Sequence, residues 1–268
     1  MKPSLIVATV SLGLIFIILI IAICSCKRES FAEKHVSEAK GREYTLSSKF
    51  TSLEWDNIRK GQKIMTDMLR CFDRICRDNN LEYWAIGGTL IGAIRHNGWI
   101  PWDGDVDVAM TDKDLERFHE IAASELPPEY FTVNSRLDSD LEGGVNTGGT
   151  GGIDKVRYKY GRYSDWDPKD RHHGLQLDIF CVDTDADGNW ISERHDINPG
   201  QDIIFPLRDH TFENILIRIP NNYNSFFQSW LGEPYPSILG VEKRLPHEGR
   251  IAFDVPELWK ERYPELYP

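Results

Sequence analysis

Hydrophobic residues fall along this chain in blocks whose spacing changes several times. Residues 5–24 form an almost uninterrupted apolar run, and about 20 such residues cross a bilayer as a helix. The run lacks the small-x-small site of a cleaved signal peptide. It predicts a single-pass anchor within residues 1–26, followed by a polar, charged stalk over 27–48. From Ile58 the apolar positions recur at helical spacing (Ile58, Met65, Met68, Leu69, Phe72, Ile75, Cys76) as far as a stop at Asn79-Asn80.

Beyond that stop the period shortens. Residues 81–86 read as a buried strand, and Gly87-Gly88 opens a short helix running through Arg95. A second strand covers 105–110. Thr111, with Asp114 three residues on, starts a helix to about Ser124. Pro127-Pro128 breaks the chain before a strand at 130–134, and the glycine-rich stretch 143–152 is a loop. Further strands are predicted at 153–160 and 175–182, a hairpin from 203–207 and 212–219, and a helix at 223–231. Helices and strands mix without βαβ alternation, so the pattern predicts an α+β domain over 49–268, a mixed sheet flanked by helices.

Charge and cysteines narrow the function. A net charge of −11 excludes a polyanion groove and predicts no nucleic-acid partner, yet leaves room for a small phosphorylated substrate neutralised by metal ions. The five cysteines show neither a disulfide framework nor zinc spacing.

The chemistry gathers in three pieces: Gly87-Gly88-Thr89, Asp105-Val106-Asp107, and Asp178 inside the apolar stretch 175–182. Alternation along a strand points Asp105 and Asp107 to one face and Val106 to the other. Paired carboxylates repel, a cost tolerated when a divalent cation lies between them. Asp178 needs a partner or a metal in so apolar a strand. If its strand neighbours the first, three catalytic carboxylates converge on one Mg²⁺ or Mn²⁺. Gly87 and Gly88 let backbone approach closely, Thr89 adds a hydroxyl, and Arg95, Lys155 and Arg157 are candidates for neutralising donor phosphates. Singly, each piece reads as an ordinary turn or a solvated strand face; together they point to a site. Residues 183–188 copy the start of a calcium loop, but Arg194 replaces its terminal Glu, so a strand-end turn is the better reading. His172 and His173 read as loop residues, and Phe226, Phe227 and Trp230 as core.

The stretch YWAIGGTLIGAIRHNGWIPWDGDVD over residues 83–107 resembles the LicD/fukutin family, as do 177–180, 205–207 and 230–232. The resemblance implies a nucleotidyltransferase-like core. It implies transfer of phosphocholine or a polyol phosphate from a CDP-linked donor to a glycan hydroxyl. Asp105 and Asp107 match the family's metal-binding pair, with Asp178 in the place of the third acid. Members usually carry Asp where this chain has Gly104; alternation turns that position away from Asp105 and Asp107, so activity is expected to survive.

Two other readings stay open. A metal-dependent glycosyltransferase also uses Asp-x-Asp, and a non-catalytic relative binds a glycan or a partner through the same fold. Membrane orientation stays open too. Lys27, Arg28, Lys34, Lys40 and Arg42 place the domain on the cytoplasmic side by the positive-inside rule, whereas the resemblance implies the secretory-pathway lumen or an extracytoplasmic face.

Overall fold

The structure, a computed structural model, describes residues 45–135, 153–166, 174–184, 190–191, 199–232, 241–262, 264 and 266–267. Helix α1 (Ser52–Asp78) opens with a capping box. The Thr51 hydroxyl accepts from the Glu54 N–H, and the Glu54 carboxylate accepts from the Thr51 N–H. One stripe of α1, including Met65, Leu69, Phe72 and Cys76, is fully buried. Strand β1 (Tyr83–Ala85), α2 (Gly87–His96), β2 (Val106–Thr111), α3 (Asp112–Glu125), β3 (Tyr130–Val133), β4 (Ile153–Tyr163), β5 (Gly174–Thr184) and β6 (Trp190–Ile191) follow.

After β6 come α4 (Gln201–Ile204), β7 (Arg208–Phe212), β8 (Ile215–Ile219), α5 (Tyr223–Leu231), a 3₁₀ turn (Val241–Lys243), β9 (Ile251–Ala252) and α6 (Glu257–Arg262). Among the described residues the main sheet has seven strands. Its path is β1-β2-β5-β4-β3, with β6 added to β5 and β9 to β4. Only the β2–β5 pair on that path is parallel; β1–β2, β4–β5 and β3–β4 are antiparallel.

Alternation divides this sheet. Val106, Val108 and Met110 of β2, with Leu175, Leu177, Ile179 and Cys181 of β5, share the core cluster with the buried stripe of α1 and with Leu115 and Phe118 of α3. On the other face Ala109 and Val182 join Trp84 and Ile204 in a small second cluster. The carboxylates lie beside it, where the apolar cover ends.

Two expectations are corrected here. Residues 203–207 were expected to pair with 212–219, but Ile203 and Ile204 end helix α4, and Ile204 is buried against the second cluster. The hairpin is instead β7–β8, with Phe212 opposite Ile215. Glu213 takes the left-handed conformation (φ 55°) that so tight a turn requires.

The larger correction concerns the membrane. Among the described residues no helix is long and apolar enough to cross one. Helix α1 has the length, but its exposed face carries Asp56, Lys60, Lys63, Asp67, Arg70 and Arg74, charges that hydrocarbon excludes. Among the described residues the fold is therefore α+β, a sheet flanked by helices with no membrane-crossing helix, and a single-pass membrane localisation is not supported. The run at 5–24, most of the predicted stalk, the glycine-rich loop at 143–152, His172, His173 and residues 185–188 of the calcium-like stretch lie outside the described residues. Phe226 and Phe227 are core, as expected.

Candidate active site

The site starts from a row across the sheet. Asp107 of β2 stands beside Asp178 of β5, which stands beside Lys155 of β4. Asp105, just before β2, completes an acid triangle: one carboxylate oxygen from each of Asp105, Asp107 and Asp178 lies within 4.8 Å of the others. All the donors are oxygens, and the Asp105 Oδ1 is buried without a hydrogen-bond partner among the described residues. A divalent cation fits both observations.

Each acid is held by named neighbours. The Asp107 N–H donates to the Thr89 Oγ1 at 2.8 Å, and the Asp107 carbonyl accepts from the Ile86 N–H at 3.1 Å. The first turn of α2 thus grips β2 from both sides. Gly87 has φ 54°, and a Cβ there would lie 2.3 Å from the Asp107 Oδ2; one at Gly88 would lie 2.4 Å from the Asp103 Oδ2. Glycines are needed because two carboxylates occupy the space a side chain would take. The turn into Asp105 is pinned from elsewhere. The buried Gln62 Nε2 donates to the carbonyls of Ile100 (3.2 Å) and Asp103 (3.0 Å), and the Tyr163 hydroxyl to that of Gly104 (2.6 Å). The Asp178 Oδ1 accepts from the Lys155 Nζ at 2.6 Å, and its Oδ2 from the Gln176 Nε2 at 3.3 Å.

Crowded acids in a dry place resist ionisation. Burial, then Glu248, Asp107 and Asp103 push Asp105 well above the usual carboxylate range. Asp107 is raised to about 7 by burial first, then by Asp178 and Glu248, against the opposing pull of His247 and the Gly88 N–H. Burial also raises Asp178, and Lys155 holds it back. Burial lowers Lys155 in turn, despite the nearby carboxylate.

Residues 80–222 match the family model described as "LicD/FKTN/FKRP, nucleotidyltransferase domain". The chain belongs to this family. It is 40% identical over 73 residues to the lipopolysaccharide cholinephosphotransferase LicD of Haemophilus influenzae, covering 27% of this chain and 28% of that protein. It is 27% identical over 175 residues to the human ribitol 5-phosphate transferase FKRP, covering 60% of this chain and 31% of that protein. The matches thus span less than a third of the length of either relative.

The acid triangle, the two glycines, Thr89 and Lys155 all lie inside the LicD-family stretch, and the structure brings them together. Their local duties differ from those expected. Thr89 spends its hydroxyl on the Asp107 backbone, and Lys155 is the counter-charge of Asp178. Arg157, on the same face of β4, is buried with its guanidinium 5.0 Å from the Trp259 ring centre, and its charge helps hold Asp178 down. Arg95 sits in the last turn of α2, beside His96 and away from the glycine end.

Gly104 departs from expectation most. It precedes β2, so strand alternation does not govern it, and a Cβ there would lie 2.2 Å from the Oε2 of Glu248. Glu248 and its neighbour His247 belong to the same cluster as Asp105. Sequence reasoning missed both, along with Gln62 and Tyr163. No local pattern marks them, since each comes from a distant segment.

Proposed function

We propose that this chain is a divalent-cation-dependent transferase that moves a substituted phosphate group, phosphocholine or a polyol phosphate, from a CDP-linked donor to a glycan hydroxyl. The acid triangle of Asp105, Asp107 and Asp178 carries the reading: three carboxylates with oxygens within 4.8 Å of one another, one of them buried with an oxygen that has no partner among the described residues. The names of the relatives, a cholinephosphotransferase and a ribitol 5-phosphate transferase, supply the class of group transferred.

Asp105, Asp107 and Asp178 would hold Mg²⁺ or Mn²⁺. Such an ion neutralises donor phosphate and makes an acceptor hydroxyl more acidic. The chain's own residues prepare the place. Lys155 and Gln176 fix both oxygens of Asp178, so its carboxylate is oriented before any substrate arrives. Ile86 and Thr89 fix the backbone of Asp107, and Gly87 leaves its carboxylate open. Asp107 keeps a proton to near neutral pH, so affinity for a cation rises with pH through about 7. Lys155 is committed to Asp178, which leaves donor phosphate to the cation.

The test is nucleoside monophosphate release by the full chain, with Mn²⁺ or Mg²⁺ and a panel of CDP-linked donors, beside Asp105→Asn and Asp107→Asn. CMP release that needs both the metal and the two acids is expected. Release of CDP or UDP from a nucleotide sugar would replace this reading with a glycosyltransferase. A folded chain that turns over no donor would make it a binding protein.

A further inference from the structure

Beside the acid triangle lies a second set of possible ligands. Carboxylate oxygens of Asp105 and Glu248 and a ring nitrogen of His247 lie within 4.8 Å of one another. His247 and Glu248 sit between the 3₁₀ turn and β9, outside the residues that match the family model. Glu248 is only 3% exposed and Asp105 only 5%. The His247 Nε2 contacts the Glu248 Oε1. The Glu248 Oε2 and the Asp105 Oδ1 have no hydrogen-bond partner among the described residues. Leaving a buried carboxylate oxygen unsatisfied is costly, and the cost falls away when a cation takes it as ligand.

We infer that Asp105 bridges two divalent cations, one held by Asp107 and Asp178, and a second held by His247 and Glu248 of the C-terminal segment. This deepens the cation-dependent reading above and rests on it.

Asp103, Asp107, Asp178 and Glu248 all act on Asp105 here. The buried cations opposing them are Lys155 and Arg157. With two divalent ions bound and all five carboxylates deprotonated as ligands or neighbours, the cluster with Lys155 and Arg157 carries a small positive charge, suited to a phosphate-bearing donor. The backbone is shaped for this arrangement. A Cβ on residue 104 would lie 2.2 Å from the Glu248 Oε2 and 3.0 Å from its Cδ, so the glycine is what lets Glu248 reach the cluster. The mixed oxygen and imidazole set of the second position favours Mn²⁺ over Mg²⁺. His247 is exposed, which gives the ion a route in from solvent.

The experiment is Mn²⁺ titration of the full chain, followed by calorimetry and by loss of the free Mn²⁺ paramagnetic signal. Wild type is expected to bind two ions, and Glu248→Gln one. The exposed His247→Ala, which should fold normally, is expected to weaken the second ion at least tenfold, and Gly104→Ala to weaken it by pushing Glu248 aside. Asp107→Asn should keep the ion that Glu248 holds. A wild type that binds one ion, with Glu248→Gln and His247→Ala unchanged, overturns the second site and leaves the acid triangle standing. A wild type that binds none overturns both.

Discussion

Asp154 and Lys155 are neighbours on β4, and alternation sends them to opposite faces of the sheet. Their surroundings show two ways of burying charge. On the helix-covered face, the carboxylate of Asp154 is shared by the His119 Nε2 at 2.6 Å and the Ser135 N–H at 2.8 Å. Burial alone would raise it, but these two neighbours together bring it below the usual carboxylate value. On the other face burial and the surrounding acids, Glu248 first among them, lift Asp105 well above that value. The first acid is a finished structural contact, while the second keeps a buried oxygen with no hydrogen-bond partner among the described residues, the place the proposed cation would take. Sequence separates them only by the Asp-x-Asp pair that Asp105 forms with Asp107; the partners of Asp154 come from distant segments.

The contrast breaks most visibly in turnover. Asp105→Asn or Asp107→Asn is expected to lower kcat on the order of a thousandfold, whereas Asp154→Asn leaves it near wild type. Nucleotide release measured at saturating donor and Mn²⁺ checks both. Next in size is Lys155→Met, which strands Asp178 as a buried charge. Denaturant unfolding at neutral pH should lose about 3–5 kcal/mol, with recovery in the double variant Lys155→Met, Asp178→Asn. Asp154→Asn should cost less, about 1–3 kcal/mol in the same measurement, without changing Mn²⁺ affinity.

Acidity sharpens the comparison further. Asp107 has a folded value of about 7 against an ordinary 3.8, so the folded chain holds an extra proton between those values. Its contribution to stability without cation is therefore full below about 3.8 and is lost as pH rises through about 7. Asp154 behaves oppositely: lowered below 3.8, it stabilises above that pH, and the effect disappears as pH falls through its folded value. Melting in a chelator from pH 3 to 8 should show the first slope flattened by Asp107→Asn and only the acid limb flattened by Asp154→Asn.

What could be read from the sequence was what is local. Asp105-Val106-Asp107 shares a short segment, Gly87 precedes it by a fixed interval, and the apolar neighbours of Asp178 mark a buried strand. The parallel β2–β5 pairing that joins them was a conditional expectation, and the register of Asp107 with Asp178 meets it. The use of Lys155 on Asp178 depends on the antiparallel β4–β5 register, which no spacing reveals. Gln62, Tyr163, His247 and Glu248 reach the site through tertiary packing alone. The hairpin was misplaced because the apolar stretch 203–207 ends helix α4 and packs Ile204, Phe205 and Leu207 on the second cluster, too short a run to distinguish strand from helix.

The most direct test of the central claim, that the uncompensated acids exist to hold a divalent cation, is thermal melting of the full chain near pH 7.5. Wild type and Asp105→Asn would be compared in chelator and in saturating Mn²⁺. The account predicts that Mn²⁺ at about a hundred times its Kd raises the wild-type Tm by roughly 5–10 °C. It also predicts that Asp105→Asn melts above wild type in chelator and barely responds to the metal. A wild type indifferent to Mn²⁺, or an Asp105→Asn that melts below it in chelator, would contradict the account.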